Sequence, residues 1–252
     1  MLYKLGAVPY LNALPLIHHL KERPRLEAPA PLARLLKIGE VDIATAPVVA
    51  LFENPHYTLV PGMGIGSNGP VGSVKVFFLK PDIDLSNVKT IYLDMESKTS
   101  AMLLKVLLKY KYGRDLDEIT FFHPIPPRTC EAKLLIGDKA MKELALHPPV
   151  DLGYEWTSWT KLPFVFAAWI SRHPEVSERA VEELKAARDL GCKNIAGVVP
   201  GASLFSFETI KTYLENLVYT LGPNEMEGLN LFRDYIARAG FLEEPKFQYA
   251  VS

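Results

Sequence analysis

The sequence predicts an α/β protein built as two lobes, each a mixed sheet flanked by helices, with two apolar strands carrying the chain between them. Three observations lead there. Short β-like runs alternate with helical runs from Tyr3 through Gly153, the order that yields largely parallel sheets with helices on their faces. Two long apolar runs, 74–79 and 162–170, stand apart from that alternation. After Pro174 the pattern turns almost entirely helical. At about 150 residues per domain, the 252 residues correspond to one large domain or two small ones.

Residues 3–8 read as the first strand, which runs through Pro9-Tyr10-Leu11-Asn12 into a helix over about 13–22, with Leu16, Ile17 and Leu20 at helical spacing. A Pro- and Ala-rich connection leads to a short helix through Leu32, Leu35 and Leu36, and Gly39 stands where a left-handed C-cap belongs. Residues 41–46 form the next strand, and Pro47 is placed to open another helix. Residues 74–79 are a strong strand that Lys80-Pro81-Asp82 ends. A second β/α pattern follows: a strand over 90–94, then Ser97-Lys98-Thr99-Ser100 leading into a helix that Gly113 stops. Met102, Leu103, Val106, Leu107 and Tyr110 leave that helix apolar on most sides, so it is expected to be buried. Residues 133–136 read as a buried strand, Asp138 as the cap of a helix through Met141 and Leu144, and 150–153 as another strand. Ala180, Val181, Leu184 and Ala187 mark one face of a helix that Gly191 is expected to stop. Ser206 can cap a helix facing inward through Ile210, Tyr213, Leu214 and Leu217. The last helix opens after Pro223, uses Met226, Leu229, Phe232 and Ile236, and ends at Gly240.

Two β/α blocks crossed twice by the chain correspond to the two-lobed type II periplasmic-binding-protein-like fold. Residues 1–77 plus 170–252 then make one lobe and 78–169 the other, with 74–79 and 164–170 as a two-strand hinge. The ligand cleft is expected between the lobes, at the carboxyl ends of strands where helix N-termini point.

Composition narrows the function. Hydrophobic residues make up 48% and charged residues 23%, which excludes a disordered chain, a collagen-like repeat and a coiled coil. Lys plus Arg (28) nearly balances Asp plus Glu (29), so no basic field exists for nucleic acid or an anionic membrane. An anionic ligand must therefore be held by local dipoles and a few hydrogen bonds. Cys130 and Cys192 lack CxxC or Cys/His spacing and read as thiols, not as a disulfide or metal set. The first residues do not read as a secretory signal and no apolar run reaches membrane-spanning length, so a cytoplasmic location is expected.

Gly64-Ile65-Gly66-Ser67-Asn68-Gly69 matches G-x-G-x-x-G, but Pro70 and a strand follow where a dinucleotide site needs a helix. It reads as a turn-rich loop that brings Gly72-Ser73 near the cleft. Six histidines are scattered, and only His18-His19 are adjacent, facing different directions on a helix, so no metal site is expected. Asn12 and Thr99-Ser100 stand at strand-to-helix turns. Such residues cap helices, and the same uncapped N–H groups bind carboxylates or phosphates. Thr45 ends its strand facing the expected cleft, and Asp94, Asp138 and Asp151 are the carboxylates nearest strand ends. Trp156, Trp159 and Trp169 read, with Phe164 and Phe166, as core and hinge packing.

With these residues laid out, the chain resembles the chorismate dehydratases of the futalosine route to menaquinone, the MqnA type. Pro9-Tyr10-Leu11-Asn12-Ala13-Leu14-Pro15-Leu16 is similar to the family's (S/P)YLNALPL opening. The likeness continues at Gly64-Ile65-Gly66-Ser67 with Gly69, Val71 and Ser73-Val74, and at Leu93-Asp94 with Ser97, Thr99-Ser100 and Leu103-Leu104. Leu135-Ile136-Gly137-Asp138-Lys139-Ala140, Asp151-Leu152-Gly153 with Trp156, and Leu162-Pro163-Phe164-Val165-Phe166-Ala167 follow in order. In the tail, Tyr213-Leu214, Tyr219, Leu221, Gly228-Leu229 and Phe232 also fit. A sister lyase that forms dihydroxynaphthoate typically opens with a Ser-Pro-Cys-Pro-Asn type sequence, absent here. The chain departs from the pattern at Val8-Pro9, at Ala46-Pro47, and at Lys161, where glycine is usual.

The resemblance implies the two-lobed fold and the loss of water from chorismate, with no cofactor and no metal. The substrate would be a small-molecule dicarboxylate; no nucleic-acid or membrane partner is implied, and the oligomeric state is left open. Asn12 is the residue expected closest to the chemistry, and Tyr10, Asn12, Thr45, Ser73, Thr99, Ser100 and Asp138 are expected to contact substrate. Two other readings stay open at this point: a cytoplasmic solute-binding or sensor protein for a small carboxylate, and the sister lyase.

Overall fold

The computed structural model describes residues 3–94, 96, 98–123, 129–201, 203–242 and 248–249; Ser97, expected beside a helix start, lies outside them. In chain order the strands are β1 (Leu5–Ala7), β2 (Arg25–Leu26), β3 (Ile43–Pro47), β4 (Thr58–Ser67), β5 (Val74–Phe78), β6 (Thr90–Leu93), β7 (Thr120–Phe122), β8 (Ala132–Ile136), β9 (Val150–Asp151), β10 (Phe164–Ser171), β11 (Val218–Thr220) and β12 (Gln248–Tyr249). The helices are α1 (Leu14–Ile17), α2 (Pro29–Ile38), α3 (Val49–Glu53), α4 (Lys98–Val106), α5 (Gly137–Lys142), α6 (Leu152–Thr160), α7 (Glu178–Lys193), α8 (Ile195–Val198), α9 (Phe207–Glu215) and α10 (Pro223–Arg238).

The strands form two mixed sheets, as the two-lobed fold class predicts, with more antiparallel pairing than the β/α alternation alone suggests. The first runs β11-β4-β10-β3-β1-β2, with β12 also on β4; β1 is parallel to β2 and β3, and β10 is antiparallel to β3 and β4. The second runs β7-β6-β8-β5-β9, with β6 parallel to its two neighbours and β5 antiparallel to β8 and β9. The chain passes from the first sheet to the second over 68–73 and returns over 161–163, just before each of the two apolar strands expected to carry it. β5 lies between β8 and β9, and β10 between β3 and β4. Their apolarity thus reflects burial inside a sheet covered on both faces.

Glycines explain several local choices. A Cβ at Gly64 would stand 2.7 Å from the Ala167 carbonyl oxygen, and one at Gly66 2.6 Å from that of Phe164, along the bulged β4–β10 ladder. The G-x-G pattern is therefore close strand packing. Gly191 does not stop α7, which continues to Lys193: a Cβ there would lie 2.0 Å from the Pro15 carbonyl oxygen, so glycine lets α7 seat on α1. The helix expected over 13–22 is shorter, a 3₁₀ turn at Leu11–Ala13 and then α1, because Leu20 N–H closes on Ile17 O three residues back. α4 is buried as expected and widens into a π turn (Leu107–Lys111) before Gly113. Residues 152–153, expected to extend a strand, instead start α6, because the Asp151 carboxylate accepts from Gly153 N and Tyr154 N. Asp138 is not a cap: α5 begins at Gly137, places Asp138 in its first turn with no side-chain cap bond, and ends before the exposed Leu144.

Apolar burial runs continuously from the first sheet to α4 of the second. At its centre Trp156 meets Phe164 (5.3 Å between ring centroids) and Phe232 (5.9 Å), and Trp159 stacks on Tyr235. Trp169 is buried in β10 opposite Thr45. Among the described residues, no helix is long and apolar enough to cross a membrane.

Candidate active site

A cavity opens where the two sheets meet. Tyr10, Asn12 and Thr45 line it from the first sheet's side, Ser73 lies at the entry to β5, and Thr99 and Ser100 come from the first turn of α4. Val8, Ile65, Val74, Ile136, Phe166 and Leu217 supply the apolar wall. Six of the seven residues expected to contact substrate are thus brought together from segments up to 90 positions apart. The seventh, Asp138, is not among the lining residues; from α5 its charge acts on Tyr10 and Tyr213.

The 3₁₀ turn that carries Asn12 is held by its neighbours. Thr45 does not end its strand as expected but is buried in the middle of β3, because pairing with β10 continues through Pro47. Its Oγ1 accepts from Val8 N at 3.2 Å and so fixes the segment leaving β1. Tyr10 precedes the turn in extended conformation. Its hydroxyl and the Asn12 Oδ1 are both buried without a well-formed hydrogen bond, the hydroxyl lying beside Glu96 and the Asn12 side chain beside the Tyr213 hydroxyl. A buried polar atom without a partner carries a desolvation penalty of about 1–3 kcal/mol, and a ligand group that bonds to it removes that penalty. Burial first, then the negative charge of neighbouring Glu96, push the Tyr10 phenol well above its ordinary range. It therefore remains a proton-bearing donor at neutral pH.

On the other side, Tyr213 from α9 donates to Ser73 Oγ at 2.8 Å. Burial, partly opposed by that bond, pushes the Tyr213 phenol up to about 12. Thr99 Oγ1 accepts a long bond (3.5 Å) from Val49 N at the start of α3, and Lys98 pairs with Glu53, so α4 is tied to the first sheet's helices beside the cavity. Both Thr99 and Ser100 are buried at a helix start, where N–H groups and the helix dipole favour an anion.

Glu96, which nothing in the sequence spacing singles out, is the one carboxylate among the described residues on the cavity wall. Lys139 from α5 bridges it (3.1 Å) to the buried Asp94 (3.2 Å). Burial disfavours the Lys139 charge, but hydrogen bonds to Glu96 and Asp94 outweigh it and raise its pKa. Among the described residues no Lys, Arg or His lines the cavity, and the hydroxyl-bearing side chains of Tyr10, Thr45, Ser73, Thr99 and Ser100 do. Among the described residues no group of three or more His, Cys, Asp or Glu is gathered for a metal. Tyr213 falls on the inward face of its helix; its hydroxyl contact with Ser73 leaves no mark in the periodicity.

Comparison with known proteins agrees with this geometry. The chain is 31% identical to the chorismate dehydratase of Thermus thermophilus, covering 92% of this chain and 94% of that one. In fold it is similar to a crystal structure of an Archaeoglobus fulgidus protein (TM-score 0.68, 16% identity, 95% of this chain and 98% of that one). It is similar as well to the periplasmic aliphatic sulphonate binding protein of Escherichia coli (TM-score 0.62, 12% identity, 96% and 89%). The two-lobed periplasmic-binding-protein fold is thereby established. The family model described as menaquinone biosynthesis matches residues 3–238, and the chain belongs to that family.

Proposed function

We propose that this protein is a chorismate dehydratase, a hydro-lyase that removes water from chorismate to give 3-[(1-carboxyvinyl)oxy]benzoate in menaquinone biosynthesis. Family membership and the Thermus thermophilus relative support the pathway and the substrate. The observation that carries the assignment to the cavity is the pair of buried polar atoms without a well-formed hydrogen bond, Tyr10 Oη and Asn12 Oδ1, on one wall. The two sheets with their helices act as two lobes that close on the ligand and exclude water. The reading includes a cytoplasmic location and a small-molecule dicarboxylate as substrate.

In the reaction a ring proton leaves C3 and the hydroxyl leaves C4 as water. Aromatisation drives the step, so positioning and modest charge stabilisation suffice. Ser73, Thr99 and Ser100 hold the substrate carboxylates, and Thr45 supports the opposite wall. Asn12 holds the ring beside the departing hydroxyl. The Tyr10 phenol keeps its own proton and donates a hydrogen bond to that hydroxyl as its bond to C4 breaks. The proton taken from C3 passes from its acceptor to the hydroxyl, which leaves as water. Two groups can take the C3 proton, the substrate's own enolpyruvyl carboxylate and Glu96. Glu96→Gln separates them: full turnover assigns the substrate carboxylate, and abolished turnover assigns Glu96. The proposal itself is tested by incubating the purified protein with chorismate and following products by chromatography and mass. Loss of one water with an aromatic spectrum is expected. Tight binding without turnover would move the protein to solute capture, and neither binding nor turnover would remove the assignment.

A further inference from the structure

The passage from the first sheet to the second, residues 68–73, is held by the beginning of α6, which lies some eighty positions later in the chain. The Asp151 carboxylate accepts four backbone N–H groups. Oδ1 takes Val71 (3.0 Å), Gly153 (3.0 Å) and Tyr154 (3.1 Å), and Oδ2 takes Gly72 (2.7 Å). Gly153 and Tyr154 are its own helix start, so two of the four bonds are ordinary capping. Val71 and Gly72 are not, and they tie the passage to α6. Two turns into α6, Thr157 Oγ1 accepts from Gly69 N at 3.1 Å. A Cβ at Gly153 would stand 2.5 Å from Ser67 Oγ and 2.8 Å from the Gly69 carbonyl oxygen, so the helix start sits flush on the passage.

The next residue after these anchors is Ser73, on the cavity wall. Gly72 turns the chain at φ +78°, and Ser73 then directs Oγ to the Tyr213 hydroxyl while its carbonyl accepts from Gly137 N at 2.7 Å. We propose that the start of α6, with Asp151 as its principal acceptor, is a clamp on the interlobe passage and that Asp151 is a positioning residue, setting Ser73 for the substrate. As far as turnover is concerned the inference rests on the chorismate reading above; the clamp itself does not. A carboxylate is suited to the task because it offers acceptors on both oxygens and no donor.

Asp151→Ser separates capping from clamping. Serine is a good N-cap and retains α6, but its single short hydroxyl cannot also serve Val71 and Gly72. A displacement of about 1 Å at a site can lower rate by up to about a hundredfold. For Asp151→Ser we expect kcat/KM per folded molecule to fall at least about tenfold. In a Ser73→Ala background the same substitution has little further effect, because both act through one group. Wild-type kcat and KM in a folded Asp151→Ser protein, or losses that simply multiply with those of Ser73→Ala, would overturn the positioning role. Should Asp151→Ser not fold, Thr157→Val cuts the Gly69 anchor alone: a smaller loss that also vanishes in Ser73→Ala is expected, and unchanged kinetics would overturn the proposal. Amide hydrogen exchange reads the clamp without turnover, so its failure is distinguishable from failure of the chorismate reading. Gly69, Val71 and Gly72 are expected to be protected in the wild type and to lose protection selectively in the variant. Unprotected amides in the wild type would refute the clamp.

Discussion

Replacing Gly191 with alanine tests the packing that supports the Asn12 turn. An alanine Cβ at this position stands 2.0 Å from the Pro15 carbonyl oxygen and 2.7 Å from its carbon, whereas ordinary contact begins at 3.4 Å. α7 and α1 must then separate by about 1.4 Å along this line, the difference of 3.4 and 2.0 Å. The obstructing atoms are backbone and cannot rotate away, so the overpacking cost falls near the upper end of the usual range, about 3 kcal/mol. Alanine's better helix propensity returns about 1 kcal/mol. The net is a destabilisation of about 2 kcal/mol, seen as a lowered urea midpoint and a Tm about 4–8 °C lower. Because Pro15 follows the turn carrying Asn12, turnover per folded molecule should fall as well. An unobstructed helix glycine would behave oppositely, gaining up to about 1 kcal/mol on conversion to alanine. Gly191→Ala as stable as the wild type, or more so, would refute the close approach of α7 to α1.

The remaining predictions concern single residues. Asn12→Ala is expected to lower kcat by about 10²–10³ with the fold intact, measured on chorismate; near-wild-type turnover would remove Asn12 from the chemistry. Lys161 caps α6 at φ +65°, a left-handed conformation that costs a side-chain-bearing residue about 1 kcal/mol, partly offset by its Nζ bond to Ser158 O. Lys161→Gly should therefore raise Tm by about 1–3 °C with unchanged kinetics. Burial would raise the Asp42 pKa, but the Lys4 N–H and His173 outweigh it and hold the carboxyl below its ordinary range. Its stabilisation is thus complete above the unfolded value and is lost as pH falls through the folded one. Urea unfolding between neutral pH and about pH 3 should show a shallower acid loss in Asp42→Asn than in the wild type.

Much of this protein is legible in its sequence where local chemistry and tertiary context agree. Gly39 caps α2 in the left-handed conformation, Ser206 caps α9, and Gly240 follows α10, each as its residue type requires. The strand-to-helix turns delivered Asn12, Thr99 and Ser100 to one cavity because in this fold such turns gather where the sheets meet. Lys161, where the resemblance leads one to expect glycine, has the left-handed backbone that favours glycine. The misreadings arise where a distant segment decides. Gly191 resembles a helix stop, and only the Pro15 carbonyl across the interface shows why it is glycine. Residues 152–153 at the start of α6 read as the end of a strand because Asp151 announces a cap only once its helix is seen. Glu96 and the Tyr213–Ser73 bond depend on side chains meeting across the fold, which no periodicity encodes.

The central claim is that chorismate is dehydrated in the cavity between the two sheets. Its most direct test is a structure of the slow Asn12→Ala variant crystallised with chorismate. The account predicts the ring against Tyr10 and position 12, with its carboxylates on the hydroxyls of Ser73, Thr99 and Ser100. Chorismate bound elsewhere, or the cavity filled in a way that leaves Tyr10 without a contact, would contradict it.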